Sequence, residues 1–447
     1  MRLLPKASLT RPLMSLAYPV ILGMMSRTLL TLVDTAMVGR LGAYALAAAG
    51  LAGIAVWMIV ATLFDVGIGA QAVVARRIGE RNTSGAGEVC NAALFLTLCV
   101  GPIVAILGFF LGEYLIPLLT KDPDVLPACT SYYRIRILEA LPFMLIGSGR
   151  GFFDGIGHTR VYMRVIVISN ILNVILNYVL IFGHFGFPRL EVTGAAMGST
   201  ISIYTGALIM LFMMTRRRYR KPYGIPHVWA WRGATLRTMV RLSSSASARV
   251  FLALAGFTLF LVIIGRLGTV ELAVSHMVIN ISMLSWMPGI GMGIAVTTIV
   301  GRHLGAGEPH LARAYSWEGV RIAWCSMAFL GLLFFVIPEP ILRIFTNDPE
   351  VIALGAPVLR ILGISQFVDP FNVVLQGALQ GAGKTFFVMA SEVAVIWLIM
   401  LPLTWLLAIT FEWGYLGAWT AFLSFIFGLV ILVVSKFQTR GWEHTKL

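Results

Sequence analysis

The group in this sequence best placed to do chemistry is an aspartate surrounded by oil. Asp34 sits in the run SRTLLTLVDTAMVG, and a carboxylate at membrane depth costs a few kcal/mol, so such groups are kept for ion or substrate pathways or are paired off. A carboxylate there can bind Na⁺ or take up a proton, and either event neutralises it. The structural alternative is a salt bridge to Arg27, seven residues earlier on the same helical face. A second polar stripe lies in NILNVILNYVLIFG, where Asn170, Asn173 and Asn177 are spaced by three and four residues and so share one face of a helix. Amide oxygens suit a hard cation or a carboxyl group, and interhelical hydrogen bonding is the competing use. Asp369, in ISQFVDPFNVVLQGALQG, forms a polar patch with Gln366 and Asn372 beside the helix-loosening Pro370. Asp369, Gln366 and Asn170 are taken as substrate contacts, against a structural role for Asp369. Asp65, Glu139, His276 and Arg249 are single ionisable groups in apolar runs; Arg134 and Arg136 stand ready to neutralise Glu139, and His276 is either a proton relay or a hydrogen-bonded helical histidine.

Such groups carry meaning only if the surrounding elements lie in a membrane. Of 447 residues, 58% are hydrophobic and 12% charged, far from the balance of a soluble domain. The net charge of +14 therefore reads as basic cytoplasmic loops against lipid headgroups and not as nucleic-acid binding. Cys90, Cys99, Cys129 and Cys325 show no paired spacing that would suggest disulfides or a metal. No nucleophile and base pair or HExxH pattern suggests an enzyme. LQGAGKT resembles a phosphate loop but has Ala378 where that loop needs its first glycine, and it reads as a tight turn. The apolar runs are continuous, which argues for helices and against a barrel. Twelve spans are expected, at roughly 14–39, 46–75, 88–117, 127–153, 161–183, 193–215, 243–265, 270–300, 311–338, 352–378, 386–409 and 413–436. Arg2, Lys6, Arg11, Arg76, Arg77, Arg81, Arg160, Arg302, Arg313, Lys384, Lys436, Arg440, Lys446 and the loop from Arg216 to Arg237 fall on one side; the other has little beyond Arg40, Lys121, Arg189, Arg266 and Arg343. The bias places both termini in the cytoplasm of a cell inner membrane, with the N-terminus a retained helix and not a cleaved signal.

Four motifs recur at a constant shift of 226 residues: VGRLG at Gly42 and IGRLG at Gly268, VARRIG at Gly79 and VGRHLG at Gly305, TKDPDV at Thr120 and TNDPEV at Thr346, GIGHT at Gly155 and GAGKT at Gly381. Six spans separate equivalents, so the halves share one topology. The fold class is an all-α membrane protein of two six-helix lobes, related by a pseudo-two-fold axis along the membrane normal. Its expected parts are an N-lobe, 1–215, a cytoplasmic linker and hinge, 216–242, a C-lobe, 243–436, and a tail, 437–447. The same shift places Phe260 opposite Asp34 and Phe143 opposite Asp369, so each acid belongs to one lobe only.

LVDTAMVGRLG, the paired GxGxT turns and the duplicated halves resemble the multidrug and toxic compound extrusion (MATE) family over essentially the whole chain. The resemblance implies export of amphipathic, often cationic, compounds in exchange for Na⁺ or H⁺ by alternating access. Asp34 is then the coupling carboxylate, Asn173 and Asn177 stand beside it, and a hydroxyl, Ser199 or Thr200, completes the site. Na⁺ would be held by Asp34, Asn173 and Asn177. Many relatives carry Asp at the position of Asn177, and one branch carries a carboxylate at that of Asp369. That branch also has a glutamate on the seventh helix, which the region around Ala253 lacks. The expected partners are small amphipathic molecules and membrane lipids, with no nucleic acid, no resident cofactor and a monomeric chain. The rival reading is a lipid-linked oligosaccharide flippase of the same superfamily, using Arg27 and Arg249 to hold a pyrophosphate.

Overall fold

The computed structural model describes residues 7–445; Arg2, Lys6 and Lys446 lie outside the described residues. The described chain is helical and has no strand: α1 Ala7–Gly39, α2 Ala43–Phe64, α3 Val66–Gly79, α4 Thr83–Leu119, α5 Leu126–Ile137, α6 Ala140–Gly155, α7 Arg160–Phe182, α8 Glu191–Thr215, α9 Arg217–Tyr223, α10 Gly233–Gly265, α11 Thr269–Gly305, α12 Pro309–Val336, α13 Pro338–Arg343, α14 Pro349–Gly381, α15 Thr385–Ala394, α16 Leu401–Trp405 and α17 Gly414–Gln438. α15 and α16 belong to one continuous run, Thr385–Thr410, with π-helical turns at Val395–Met400 and Leu406–Thr410.

Eleven helical runs are long and apolar enough to cross a membrane among the described residues. The fourth span is broken at Leu138–Glu139 into two helices, of 12 and 16 residues, each too short to cross alone but together the length of a span. The reason is local. Leu138 N–H bonds to Ile135 O at 3.3 Å and Glu139 N–H to Arg136 O at 3.0 Å, so the chain tightens by one residue where a charged pair must be folded inward. This is a multi-pass membrane protein.

Packing divides the chain into two compact units, Leu22–Ser247, here the N-unit, and Met1–Ile21 with Ala248–Leu447, here the C-unit. Both borders fall inside helices, at Ile21 in α1 and Ser247 in α10, and they too lie 226 residues apart. The division thus differs from one made at the loop after α8: each half lends the start of its first helix to the other unit. At the start of α1, Thr10 donates to Glu318 of the C-unit at 2.8 Å, and Leu13, Leu16 and Ala17 are buried with Met292, Ala295 and Ile299. Beyond Pro19 and Gly23 the same helix packs in the N-unit. In α10, Ser247 donates to Thr62 O at 2.7 Å within the N-unit, and past it Leu252 O accepts from Trp397 Nε1 at 3.1 Å within the C-unit.

The repeat is visible in the packing. Gly151 of α6 lies against the carbonyl of Gly67 in α3, where a Cβ would strike backbone. Shifted by 226, Gly377 of α14 lies in the same way against the carbonyl of Gly293 in α11, and Thr297 donates to Gly377 O at 2.9 Å. Small residues let helices approach where lipid supplies no hydrophobic drive.

The loop expected as a free hinge is fastened to the N-unit. Asn91 accepts from His227 N–H at 2.9 Å and donates to Gly224 O at 3.2 Å, while Glu88 accepts from Arg232 N–H at 2.8 Å and from Thr235 Oγ1 at 2.6 Å. Tyr219 is buried edge-on to Phe153, 5.0 Å between ring centres.

A Cβ added at Gly151 or Gly377 should cost about 1–3 kcal/mol by overpacking against backbone. Gly53, with nothing within 4 Å of its Cβ position, should accept alanine without loss. Melting temperatures of G151A, G377A and G53A in detergent check this; equal effects at all three positions would contradict the packing.

Candidate functional site

In the N-unit, α1, α7 and α8 build one polar chain. Asn177 Nδ2 donates to Asp34 Oδ1 at 2.8 Å and to Asn173 Oδ1 at 3.0 Å, and Asn173 Nδ2 donates to Ser199 Oγ at 3.0 Å. The spacing of four along α7 stacks the two amides one turn apart. Gly198 on α8 lets that helix close against the Asn177 amide, which a side chain would block. Asn173, Asn177 and Ser199 are buried, and Asp34 is partly so. Asn177 Oδ1 is buried with no hydrogen-bond donor, leaving an acceptor beside the carboxylate that a cation or a proton could use. One turn earlier, Asn170 donates to Ser26 Oγ at 2.9 Å, tying α7 to α1 but outside the Asp34 chain.

Arg27 does not clasp Asp34. Its guanidinium lies 4.5 Å from the ring centre of Trp57 and 4.9 Å from that of Phe143, and among the described residues Asp34 makes no ion pair. Thr200 is placed elsewhere as well. Its hydroxyl donates to Glu139 Oε1 at 3.1 Å, and the same Glu139 oxygen is 2.9 Å from Arg136 Nη1. Of the two hydroxyls expected beside Asp34, the structure brings Ser199 and not Thr200. Arg134, expected to share Glu139, pairs with Glu113.

The sequence reading passed over Arg150 and Asp154, which pair at 3.1 Å with Asp154 fully buried. Their spacing of four in RGFFD was the available signal. It also passed over Trp57, which no spacing rule marks as a partner of Arg27.

In the C-unit, Asp369 is buried and accepts from Asn372 Nδ2 at 3.0 Å, and Asn372 Oδ1 accepts from Gln376 Nε2 at 2.8 Å. Gln366 is fully buried with neither amide atom hydrogen-bonded. Asp369 and Gln366 therefore belong to one unit and Asn170 to the other. Arg249 pairs with Glu392 at 3.2 Å. His276 is exposed on α11, and Asp65 sits at the joint of α2 and α3. Phe260, opposite Asp34 in the repeat, is fully buried edge-on to Trp419, 5.5 Å between ring centres. Among the described residues no three His, Cys, Asp or Glu cluster as metal ligands, so a cation at Asp34 would depend on amide and hydroxyl oxygens.

A family model, MatE, matches this chain twice, at residues 19–179 and 246–406, and the chain belongs to the MatE family. It is 28% identical over 437 residues to the probable multidrug resistance protein NorM of Thermotoga maritima, covering 97% of this chain and 93% of that protein. It is likewise 28% identical over 430 residues to the multidrug resistance protein PmpM of Pseudomonas aeruginosa, with 95% and 90% covered. Among solved structures, an outward-facing multidrug resistance MATE family transporter of the MOP superfamily superposes with a TM-score of 0.88 over 96% of this chain and 95% of that one, at 21% identity, which speaks for the fold.

Asn177→Asp would set a second carboxylate at hydrogen-bonding distance from Asp34, and two such groups share a proton or require a cation. Na⁺ should then protect the N177D protein against thermal unfolding more than it protects the wild type; equal Na⁺ responses would contradict the geometry.

Proposed function

We propose that this protein is a secondary active exporter of amphipathic, cationic compounds, exchanging them for Na⁺ or H⁺ by alternating access in a bacterial inner membrane, with both chain ends in the cytoplasm. The observation that carries the reading is the Asp34–Asn177–Asn173–Ser199 chain: a carboxylate that makes no ion pair among the described residues, held by an amide, where the repeat places Phe260 in the other unit. When Asp34 is charged, Asn177 stabilises it by donating, a bond worth about 1.5–3 kcal/mol to a charged group. When a proton or Na⁺ neutralises Asp34, the amide can turn its unpartnered Oδ1 toward the newcomer. A cationic cargo and the coupling cation thus compete for one negative charge, and competition of this kind is what exchange requires. Asp369, with its own amide ladder and the unpartnered Gln366 beside it, is the polar contact for cargo in the C-unit.

The flippase reading loses one of its two basic groups, since Arg249 is answered by Glu392 at 3.2 Å.

In proteoliposomes, wild-type protein should expel a fluorescent cation when a Na⁺ or a pH gradient is imposed separately, and at least one of the two should drive it. Asp34→Asn should cut the gradient-driven component at least tenfold, and the dye it still binds should be held more weakly than by the wild type. Wild-type rates in the Asp34→Asn variant would refute the assignment, and tight binding of a polyprenyl pyrophosphate with none of the dye would favour the flippase.

A further inference from the structure

We propose that the N-unit also holds an anion-recognition group at Arg27, so that its preferred cargo is a zwitterion. Four other half-buried arginines of the two units each have a carboxylate of their own: Arg136 with Glu139 at 2.9 Å, Arg150 with Asp154 at 3.1 Å, Arg249 with Glu392 and Arg321 with Glu318, both at 3.2 Å. Arg27 has none, and among the described residues its guanidinium makes no hydrogen bond. What surrounds it is aromatic: Trp57 and Phe143 lie 4.5 and 4.9 Å away by ring centre. The two rings stand at 87° to each other, so the guanidinium can lie flat on no more than one of them, and none of its N–H donors, the fork that matches a carboxylate or phosphate, is taken by a hydrogen bond to a described residue of the protein.

Arg150 shows what such an edge takes. It lies over the same aromatic row, 5.5 Å from the ring centre of Phe64 and 4.6 Å from that of Tyr162, and Phe64 in turn lies 5.1 Å from Phe143. There the protein itself supplies the carboxylate, as Asp154. At Arg27 the cargo supplies it. The device belongs to the N-unit alone, because the shift of 226 places Ala253 opposite Arg27. Arg27 and Asp34 are seven residues apart on one face of α1, two turns or about 10 Å along the axis. A cargo with an anionic group near one end and a cationic group about 10 Å away, joined by an apolar aromatic body, would satisfy both. This rests on the export reading only for the direction of movement; the binding claim stands or falls separately.

The test uses full-length protein in nanodiscs and one xanthene dye in two forms, rhodamine as its free carboxylate and as its methyl ester, with binding read by fluorescence anisotropy. Wild type should bind the carboxylate about tenfold more tightly than the ester, the gain of one charge-assisted contact. Arg27→Gln should bring the carboxylate down to the affinity of the ester and leave ester binding within about twofold. Arg27→Lys, which keeps the charge but not the planar fork, should fall between and serves if the glutamine variant unfolds. Equal affinity of the wild type for both forms, or a carboxylate preference that survives Arg27→Gln, would overturn the inference. Ester that is bound but not exported by proteoliposomes would count against the export reading and leave the anion site standing.

Discussion

Hydrocarbon leaves a charged group without water, and that one constraint organises this molecule. Each ion in the helical interior must find an opposite charge, a donor or an aromatic face, and the chain spends specific residues on this. Arg136 folds back on Glu139 at a helix break, Arg150 on Asp154 within one helix, and Arg249 reaches across to Glu392. Asp34 is answered differently. It is met by an amide and by no cation, an arrangement that tolerates either charge state, where an arginine partner would lock the carboxylate ionised. A coupling site needs that tolerance.

The two units share a backbone plan and differ in chemistry. Gly67 and Gly151 recur as Gly293 and Gly377, with the same helix approach on both sides of the duplication. The interior polar residues do not recur. Asp34 stands where the C-unit has Phe260, packed on Trp419, and Asp369 stands where the N-unit has Phe143, its ring centre 4.9 Å from the Arg27 guanidinium. Acid and phenylalanine have changed places between the repeats. By the same shift, Asn170, Asn173 and Asn177 fall opposite Ile396, Ile399 and Leu403, in a stretch wound partly as a π-helix. Duplication supplied the scaffold, and divergence of a few interior side chains supplied one pole in each unit.

Much of this was legible in the residues. Length of apolar run, the shift of 226 and the i, i+3, i+7 amides are local or periodic signals, and periodicity reports helices and faces directly. Three features were not legible, and each depends on contact between distant segments. The break at Leu138–Glu139 follows from burying a pair within an otherwise apolar run. The border of the packing units, inside α1 and α10 and away from the basic loop, is set by where helices pack and leaves no mark in composition. Thr200 is one residue from Ser199, yet one step along a helix turns a side chain by about 100°, enough to face Glu139 and not Asn173.

The central claim is that cargo and coupling cation contend for the charge of Asp34. The direct measurement is the affinity of the purified protein for a cationic dye, taken while Na⁺ is raised at fixed pH and while pH is lowered without Na⁺. The account predicts that one of the two titrations weakens dye binding in the wild type and leaves binding to the Asp34→Asn protein unchanged. Dye affinity indifferent to both in the wild type, or equally sensitive in the variant, would contradict it.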